Sequence, residues 1–398
     1  MNILGVGTLP PHPGGSAISG ALLLSGFAAA GHRVRVLSPI TADARRAGDP
    51  FAARYPQVRV TRFDVPYFES APNLPASDAY RPIEREQIRT RLPALINEER
   101  PDIIFLTRET FAWDAPDIAA TYGVPCVLRT AGAATIGILD RTLPDPEARD
   151  LLEQFQKTDL IISPAHHLAT RLRQLGLHPI TVIWNAVDLD RFSPRPKDAN
   201  LLRALRIRTD DIVVAHASNL KSLKRPLDIV DAADTALRQN PRLLFLIVGD
   251  GSSRSAMEQS CNERGTAERF RFAGWVEHER MPDYINLAEI VVLPSAAEAQ
   301  ARVYLETQAC ARVIVASDIP AAREVIVDGE TGLLFRMGDP QALAAKTLQA
   351  AGDAQTRAML GARARTRVEA HALPSIVQTY LDTFARVIAQ RRSRLVVS

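Results

Sequence analysis

The sequence predicts an α/β protein of two domains, each built on a doubly wound parallel sheet, with the two sheets facing across a cleft. Short apolar runs bounded by turn residues alternate with segments of helical period, which is typical of a parallel sheet covered by helices on both faces. The chain has 398 residues, more than the roughly 250–300 residues at which a single core stops growing. Its composition, 46% hydrophobic and 23% charged, excludes a disordered, collagenous or coiled-coil chain.

The first predicted domain comprises residues 1–186. Helical segments at 17–30 and 115–122 separate its strands. The predicted strands of this domain are NILGVG, RVRVLS, PDIIFL, VPCVLR, LIISPA and ITVIWNA.

The second predicted domain comprises residues 187–375 and follows a break in the periodicity at 185–197, NAVDLDRFSPRPK. Residues 376–398 form a last helix with an apolar face, which we expect to pack back on the first domain. That face carries Val377, Leu381, Phe384 and Ile388. The predicted strands of the second domain are IVVAHAS, LLFLIVGDG, RFRFAG, IVVLPS and VIVAS.

The charge of the chain bears on whether it binds nucleic acid, and its cysteine content bears on its cellular compartment. Lys and Arg number 48 against 45 Asp and Glu, and the resulting charge of +3 is spread along the chain, so no nucleic-acid partner is expected. Three widely spaced cysteines predict a reduced, cytoplasmic protein. The start of the chain lacks a basic leader, and no apolar run is long enough to span a membrane. Peripheral membrane contact and oligomerisation stay open.

Two loops at predicted strand ends are suited to bind an anion. Gly14 and Gly15 precede a helix, where backbone amides favour negative charge, although an ordinary tight turn gives the same pattern. Lys221, Lys224 and Arg225 follow a strand of the second domain, which predicts a diphosphate clamp or, alternatively, a solvated loop. Gly249 ends the next strand and fits close packing beside a nucleotide.

Two glutamates form the other candidate pair. Glu298 and Glu306 are eight residues apart, so both carboxylates face one strand-end crevice if Glu306 lies on the helix after the loop. Two acceptors there could hold hydroxyls of a sugar and of a ribose. The same spacing also occurs by chance on surface helices.

Read together and in order, these pieces resemble the retaining GT-B glycosyltransferases of family 4 over nearly the whole chain. The matching motifs are Gly14-Gly15, TDLIISPAHH, VIWNAVDLDRFSP, SNLKSLKR, LLFLIVGDG, RFRFAGWV, the block from Glu298 to Glu306, DIPAAREVIVDGETGLLF and GDPQALA. Within the family, HASNLKSLKR is most similar to the glucosaminyl-malate synthases, which the first domain follows less well.

The resemblance implies roles for individual residues. Glu298 holds hydroxyls of the donor sugar and Glu306 holds the ribose, while Lys224 grips the donor diphosphate. Asn219 stands where the family has an arginine, so Lys221 or Arg225 is expected to take over its charge. The remaining expected donor contacts are Gly14, Gly15, Gly249, Trp275, Val276, Ala301 and Arg302, and the expected catalytic set is Lys224, Glu298 and Arg225.

The sequence departs from the family pattern at three places. Ala299-Gln300-Ala301 replaces Gly-Phe-Gly after Glu298, which is expected to restrict the backbone near the donor. Ala311-Arg312-Val313 replaces Gly-x-Pro. Ala131 stands where a strand-end histidine often lies beside the reacting sugar.

The sequence therefore predicts a retaining, metal-independent transferase that moves a sugar from a nucleotide diphosphate, UDP by family habit, to an acceptor hydroxyl. It predicts no bound cofactor or metal, because fixed cations serve the leaving group and His166-His167 lacks a third ligand. The acceptor is a small molecule, a glycan or a lipid-linked sugar. Two other functions stay open, namely a catalytically silent donor-binding subunit and a nucleotide-sugar epimerase.

Overall fold

The computed structural model describes residues 1–12, 14–66, 80–130, 133–142 and 145–397. By internal contacts the chain divides into two compact units. Unit 1 comprises Met1–Ala186 and Leu373–Ser398, and unit 2 comprises Val187–Ala372. Unit 1 is thus built from both ends of the chain, whereas unit 2 is one continuous segment.

A parallel sheet forms the centre of unit 1. The strands described in this unit are β1 (Asn2–Val6), β2 (Arg33–Thr41), β3 (Val58–Val65), β4 (Ile103–Leu106), β5 (Cys126–Arg129), β6 (Leu160–Ser163) and β7 (Ile180–Val182). Their order is β3-β2-β1-β4-β5-β6-β7, and each neighbouring pair is parallel. The chain therefore winds outward from β1 in both directions, which confirms the doubly wound sheet predicted for the first half.

Helices cover this sheet. Those described in unit 1 are α1 (Gly15–Ala29), α2 (Ala42–Ala47), α3 (Pro50–Arg54), α4 (Tyr80–Glu99), α5 (Ala115–Thr121), α6 (Ala133–Leu139), α7 (Asp145–Gln156), α8 (His166–Gln174) and the C-terminal helix (Leu373–Val397), with a 3₁₀ turn at Glu109–Ala112.

The C-terminal helix packs on α1 within unit 1. Its Phe384 ring lies 5.5 Å from that of Phe27 and 5.3 Å from that of Phe105. A Cβ on Gly26 would lie 2.5 Å from a methyl of Val377, so the lack of a side chain there allows the close approach. The helix begins at Leu373, three residues before the expected start, and its apolar face is buried as the periodicity predicts.

Unit 2 repeats the architecture with six described strands in the order β10-β9-β8-β11-β12-β13, again all parallel. These strands are β8 (Ile212–Ala217), β9 (Leu243–Val248), β10 (Phe270–Gly274), β11 (Ile290–Leu293), β12 (Val313–Ser317) and β13 (Leu333–Phe335). The helices are α9 (Ala199–Ala204), α10 (Pro226–Gln239), α11 (Arg254–Glu263), α12 (Met281–Leu287), α13 (Arg302–Ala309), α14 (Pro320–Val325), α15 (Pro340–Gly352) and α16 (Ala354–Val368), with 3₁₀ turns at Ser222–Lys224, Ala267–Arg269, His278–Arg280 and Glu369–His371.

Two strands were missed by the sequence analysis, and both lie at a sheet edge. β3 carries Arg59, Arg62 and Asp64 between its apolar residues, because a strand paired on one side only has more polar surroundings. β13 has three residues, too few to form a recognisable apolar run.

Ala311 adopts a backbone conformation that favours glycine. Its φ is 53°, in the left-handed region that costs an L-residue about 1–2 kcal/mol. The family's glycine falls at this position, so the departure noted in the sequence has a structural cost. The strain is confined to the turn after α13.

We therefore expect Ala311→Gly to raise the free energy of unfolding by about 0.5–1 kcal/mol, because the lost strain exceeds the extra entropy of an unfolded glycine. Urea denaturation of both proteins measures the difference. Ala309→Gly, at the last residue of α13, is the matched control and should lower stability by up to about 1 kcal/mol. A lower midpoint for Ala311→Gly would show that the turn is not strained.

Candidate functional site

The strand order of unit 2 reverses between β8 and β11, which lie side by side. Ligands of doubly wound sheets bind at such a switch point, beyond the carboxyl ends of the strands. The loops that follow β8 and β11 meet here, since the backbone N–H of Ala296 donates a 2.9 Å hydrogen bond to the carbonyl of Leu223. The candidate site therefore begins with the residues of these two loops.

Lys224 and Glu298 face each other across this junction. The Lys224 Nζ lies 2.5 Å from Glu298 Oε1, and the side chains are 22% and 11% exposed. Lys224 ends the 3₁₀ turn Ser222–Lys224 after β8, and Glu298 lies in the loop after β11. The structure thus joins two residues that the sequence analysis selected from separate motifs.

The other two cations of the loop are placed differently. Arg225 makes a bidentate ion pair with Asp228, through Nε at 2.7 Å and a terminal nitrogen at 3.0 Å. Asp228, in the first turn of α10, therefore largely neutralises the charge of Arg225. This weakens the expectation that Arg225 binds the diphosphate. Asp228, three residues further on, is the sequence signal that was overlooked. Lys221 is exposed, and the described residues give its ammonium no ion pair.

A buried histidine fixes the start of the cationic loop. The Nδ1 of His216, in β8, lies 2.9 Å from the carbonyl of Val292, and its Nε2 lies 2.7 Å from the Ser218 hydroxyl. Burial lowers the pKa of His216 to about 4. The neutral ring therefore donates from Nδ1 and accepts from Ser218, whose oxygen accepts from the Leu220 N–H at 3.1 Å. His216 gives no signal in the sequence, because a histidine at the end of a strand has no motif of its own.

Gly249 and Gly251 allow the loop after β9 to lie directly on the loop after β8. A Cβ on Gly249, whose φ is 121°, would lie 1.8 Å from the Ser218 carbonyl oxygen, and one on Gly251 would lie 1.9 Å from the Asn219 oxygen. Asn219 therefore contributes a backbone contact with the glycine loop. No other residue could replace Gly249 without moving these loops.

Glu306 is buried in α13 and is held by two nitrogen donors. His278 Nε2 lies 2.7 Å from Glu306 Oε1, and a terminal nitrogen of Arg302 lies 2.8 Å from the same oxygen. Burial alone would raise the pKa of Glu306, but the charge of Arg302 and the contacts with His278 outweigh it and lower the pKa to about 2. The carboxylate is therefore ionised throughout the physiological range. His278 was missed by the sequence analysis, since a lone histidine in a loop gives no signal.

One oxygen of Glu306 is left for a ligand. Both contacts go to Oε1, and the described residues give Oε2 no hydrogen-bond donor. Trp275 lies close in sequence to His278 and is 52% exposed, while Val276 packs against the core. The indole N–H of Trp275 donates to Glu277 Oε1 at 3.3 Å, and its exposed ring offers a flat apolar surface just after β10.

The loop from Glu298 to α13 does not require glycine. Ala301 caps α13 with φ −67° and ψ 122°, and Ala299 is absent from the described residues with positive φ. The expected restriction by alanine therefore leaves the backbone in an ordinary conformation. Arg302, the first residue of α13, turns its guanidinium to Glu306.

The expected site residues of the first domain belong to unit 1. Gly14 has a φ of 110°, which favours glycine, and Gly15 is the first residue of α1. Their part in donor binding stays a prediction. Ala131 lies outside the described residues.

The structure describes residues 1–12, 14–66, 80–130, 133–142 and 145–397. Within them, no group of three or more His, Cys, Asp or Glu side chains could hold a metal ion. No described helix is long and apolar enough to cross a membrane. Asp188 Oδ1 accepts from the N–H groups of Asp190 and Arg191, so this residue caps a turn.

Solved structures share the fold of the whole chain. A crystal structure of Anabaena Alr3699/HepE in complex with UDP matches with a TM-score of 0.79 and 20% identity, over 97% of this chain and 100% of that one. Sucrose-phosphate synthase from Thermosynechococcus elongatus matches with a TM-score of 0.82 and 19% identity, over 98% and 100%. The architecture is therefore that of a GT-B glycosyltransferase.

Two family models identify the glycosyltransferase family of the chain. The family described as Glycosyl transferases group 1 matches residues 198–367, and Glycosyltransferase Family 4 matches residues 13–191. Together they span most of both units, and the chain belongs to the family 4 glycosyltransferases. This confirms the family that the motifs indicate. The likeness to glucosaminyl-malate synthases stays a prediction.

Curated relatives carry different acceptor names. D-inositol 3-phosphate glycosyltransferase from Xylanimonas cellulosilytica is 28% identical over 71% of this chain and 69% of its own. The 2-deoxystreptamine N-acetyl-D-glucosaminyltransferase of Streptomyces fradiae is 26% identical over 84% of this chain and 81% of its own. The chain is thus similar to glycosyltransferases whose names give different acceptors.

Proposed function

We propose that this glycosyltransferase moves a sugar from a UDP-sugar to an acceptor hydroxyl with retention of the anomeric configuration and without a metal ion. The observation that carries the proposal is the pair of carboxylates at the switch point of unit 2. Glu298 contacts a lysine, and Glu306 keeps one oxygen for a ligand. The crystal structures of Anabaena Alr3699/HepE with UDP and with UDP-glucose support the choice of uridine nucleotides.

The proposed donor site has separate residues for the base, the ribose and the diphosphate of the nucleotide. Trp275 and Val276 lie beside the base, and Glu306 accepts hydrogen bonds from the ribose through Oε2. Gly249 and Asn219 leave room for the backbone of the loops to approach the diphosphate. The start of α13, at Ala301 and Arg302, presents backbone amide groups to the same phosphates, while the Arg302 guanidinium stays paired with Glu306.

In the proposed reaction no side chain forms a covalent bond with the sugar. Charge grows on the diphosphate as the bond to the sugar breaks, and the Lys224 ammonium stabilises it. A fixed cation fulfils the role that a divalent metal has elsewhere. Glu298 orients hydroxyls of the sugar, and the acceptor hydroxyl attacks on the face that the diphosphate leaves. The acceptor proton passes to the departing phosphate oxygen.

A ligand panel tests the donor assignment. UDP, UDP-glucose, UDP-N-acetylglucosamine, GDP-mannose and ADP-glucose are compared by thermal shift, where a ligand at 100 times its dissociation constant should stabilise the fold by about 2.7 kcal/mol. Stabilisation by uridine nucleotides alone is expected. The anomer of the transferred sugar, read by proton NMR, tests retention. Stabilisation by GDP or ADP alone would overturn the uridine assignment.

We expect Glu306→Gln to weaken UDP binding about 10- to 100-fold, because the neutral amide is a poorer acceptor for the ribose hydroxyls than an ionised carboxylate. Titration calorimetry measures the dissociation constants. Glu330→Gln, at an exposed position, is the matched control and should leave them unchanged. Equal UDP affinity in Glu306→Gln and the parent protein would remove Glu306 from the donor site.

A further inference from the structure

His278 connects two parts of the proposed donor site. It follows Trp275 and Val276 closely in sequence, as the first residue of the 3₁₀ turn His278–Arg280. Its ring nevertheless reaches Glu306 in α13, 28 residues away in sequence, with an Nε2 to Oε1 distance of 2.7 Å. The histidine thus links the loop at the end of β10 to the buried carboxylate.

The imidazole is fixed from several sides. Its side chain is 13% exposed, and its ring centroid lies 5.3 Å from that of buried Phe192. A terminal nitrogen of Arg302 lies 3.2 Å from the same Nε2. An ionised carboxylate only accepts, so Nε2 carries its hydrogen toward Glu306 and the guanidinium of Arg302 is a neighbour of the ring and not its acceptor. The ring packs against Phe192 at an angle of 42° and is mostly buried, so it has little freedom to turn.

Two donors on one oxygen determine which way the carboxylate faces. The terminal torsion of a glutamate is otherwise broad, so an unanchored carboxylate would turn between several orientations. His278 and Arg302 both contact Oε1, which leaves Oε2 directed away from them. A preorganised acceptor binds more tightly than one that must be ordered on binding.

We propose that His278 is a positioning residue for nucleotide recognition: by holding Oε1 of Glu306 it presents Oε2 to the ribose hydroxyls of the donor. This inference rests on the proposed function, in which Glu306 binds the ribose. His278 lies outside the family motifs. The proposal predicts that His278 increases the preference for UDP over an analogue whose ribose lacks hydroxyl groups.

The test compares UDP with 2′,3′-dideoxyuridine 5′-diphosphate, which lacks the hydroxyls. The ratio of the two dissociation constants isolates the ribose contact, because a general loss of structure weakens both ligands alike. His278→Phe keeps a ring to pack against Phe192 but removes the donor, and we expect the ratio to fall about three- to tenfold. His278→Gln supplies an amide N–H near the position of Nε2 and should restore most of the ratio.

The outcomes distinguish the role of Glu306 from the role of His278. If the parent protein binds both ligands equally, Glu306 does not bind the ribose, and the inference falls with that part of the proposed function. If the parent protein prefers UDP and His278→Phe keeps the same ratio, Arg302 positions Glu306 alone and only the role of His278 is overturned. Should the phenylalanine variant not fold, His278→Met, which also removes the donor, replaces it, and an unchanged ratio in that variant would overturn the role as well.

Discussion

Replacing Lys224 with methionine is expected to lower kcat/KM for the donor about 10- to 150-fold. Removing one partner of a charge-assisted contact costs about 1.5–3 kcal/mol, and methionine keeps the length of the side chain without its charge. Steady-state kinetics with varied donor measure the loss. Lys221→Met, at the exposed lysine of the same loop, should change kcat/KM far less. Equal losses in both variants would mean that the loop acts through its total charge and not through Lys224.

The ion pair between Lys224 and Glu298 leads to a less obvious result for the glutamate. The Glu298 carboxylate lies 2.5 Å from the Lys224 ammonium, so in the proposed site it competes with the diphosphate for Lys224. Glu298→Gln is therefore expected to bind free UDP about two- to fivefold more tightly, the range that a partly exposed ion pair of this kind contributes. The same variant should lose the additional affinity that the sugar gives to a UDP-sugar. Weaker binding of both ligands would contradict this competition.

The largest effect on stability is expected at Gly249. An alanine there places a methyl group 1.8 Å from the Ser218 oxygen at a φ of 121°, which combines overpacking against backbone with a strained conformation. Each of these costs about 1–3 kcal/mol, so we expect Gly249→Ala to lower the free energy of unfolding by about 3–5 kcal/mol. Calorimetry should find the transition of unit 2 roughly 6–20 °C lower.

A second glycine in unit 2 provides the control for this variant. Gly352 ends α15, has no positive φ, and a Cβ there would meet nothing within 4 Å. Gly352→Ala should therefore be neutral or stabilise by up to about 1 kcal/mol. An unchanged transition in Gly249→Ala would show that the loops after β8 and β9 separate at little cost.

The central strands were predictable because burial on both faces forces a continuous apolar run, as LLFLIV in β9 shows. β3 and β13 were not, since an edge strand needs neither length nor uniform apolarity. Within the site, motifs indicated Lys224, Glu298 and Glu306 one by one. Their partners depended on folding, because Lys224 and Glu298 are 74 residues apart and no spacing rule connects them.

The same limit explains the residues that were missed. His278 and His216 act through contacts with distant elements, and each is an ordinary histidine in the linear sequence. For Arg225, in contrast, the nearby sequence does contain a signal. Asp228 lies three residues further along the helix and pairs with it, so the loop presents less positive charge than its sequence suggests.

The assembly of unit 1 from both ends of the chain has a consequence for protein synthesis. Phe27 and Phe105 leave the ribosome early, but Tyr380 and Phe384, which pack on them, follow only after all of unit 2. At about 5–20 residues per second, the nascent chain carries this uncovered aromatic surface for roughly 10–40 s while Val187–Ala372 is translated. Unit 2 is complete before unit 1, so the aromatic core around Phe27 and Phe105 is closed only as translation nears its end.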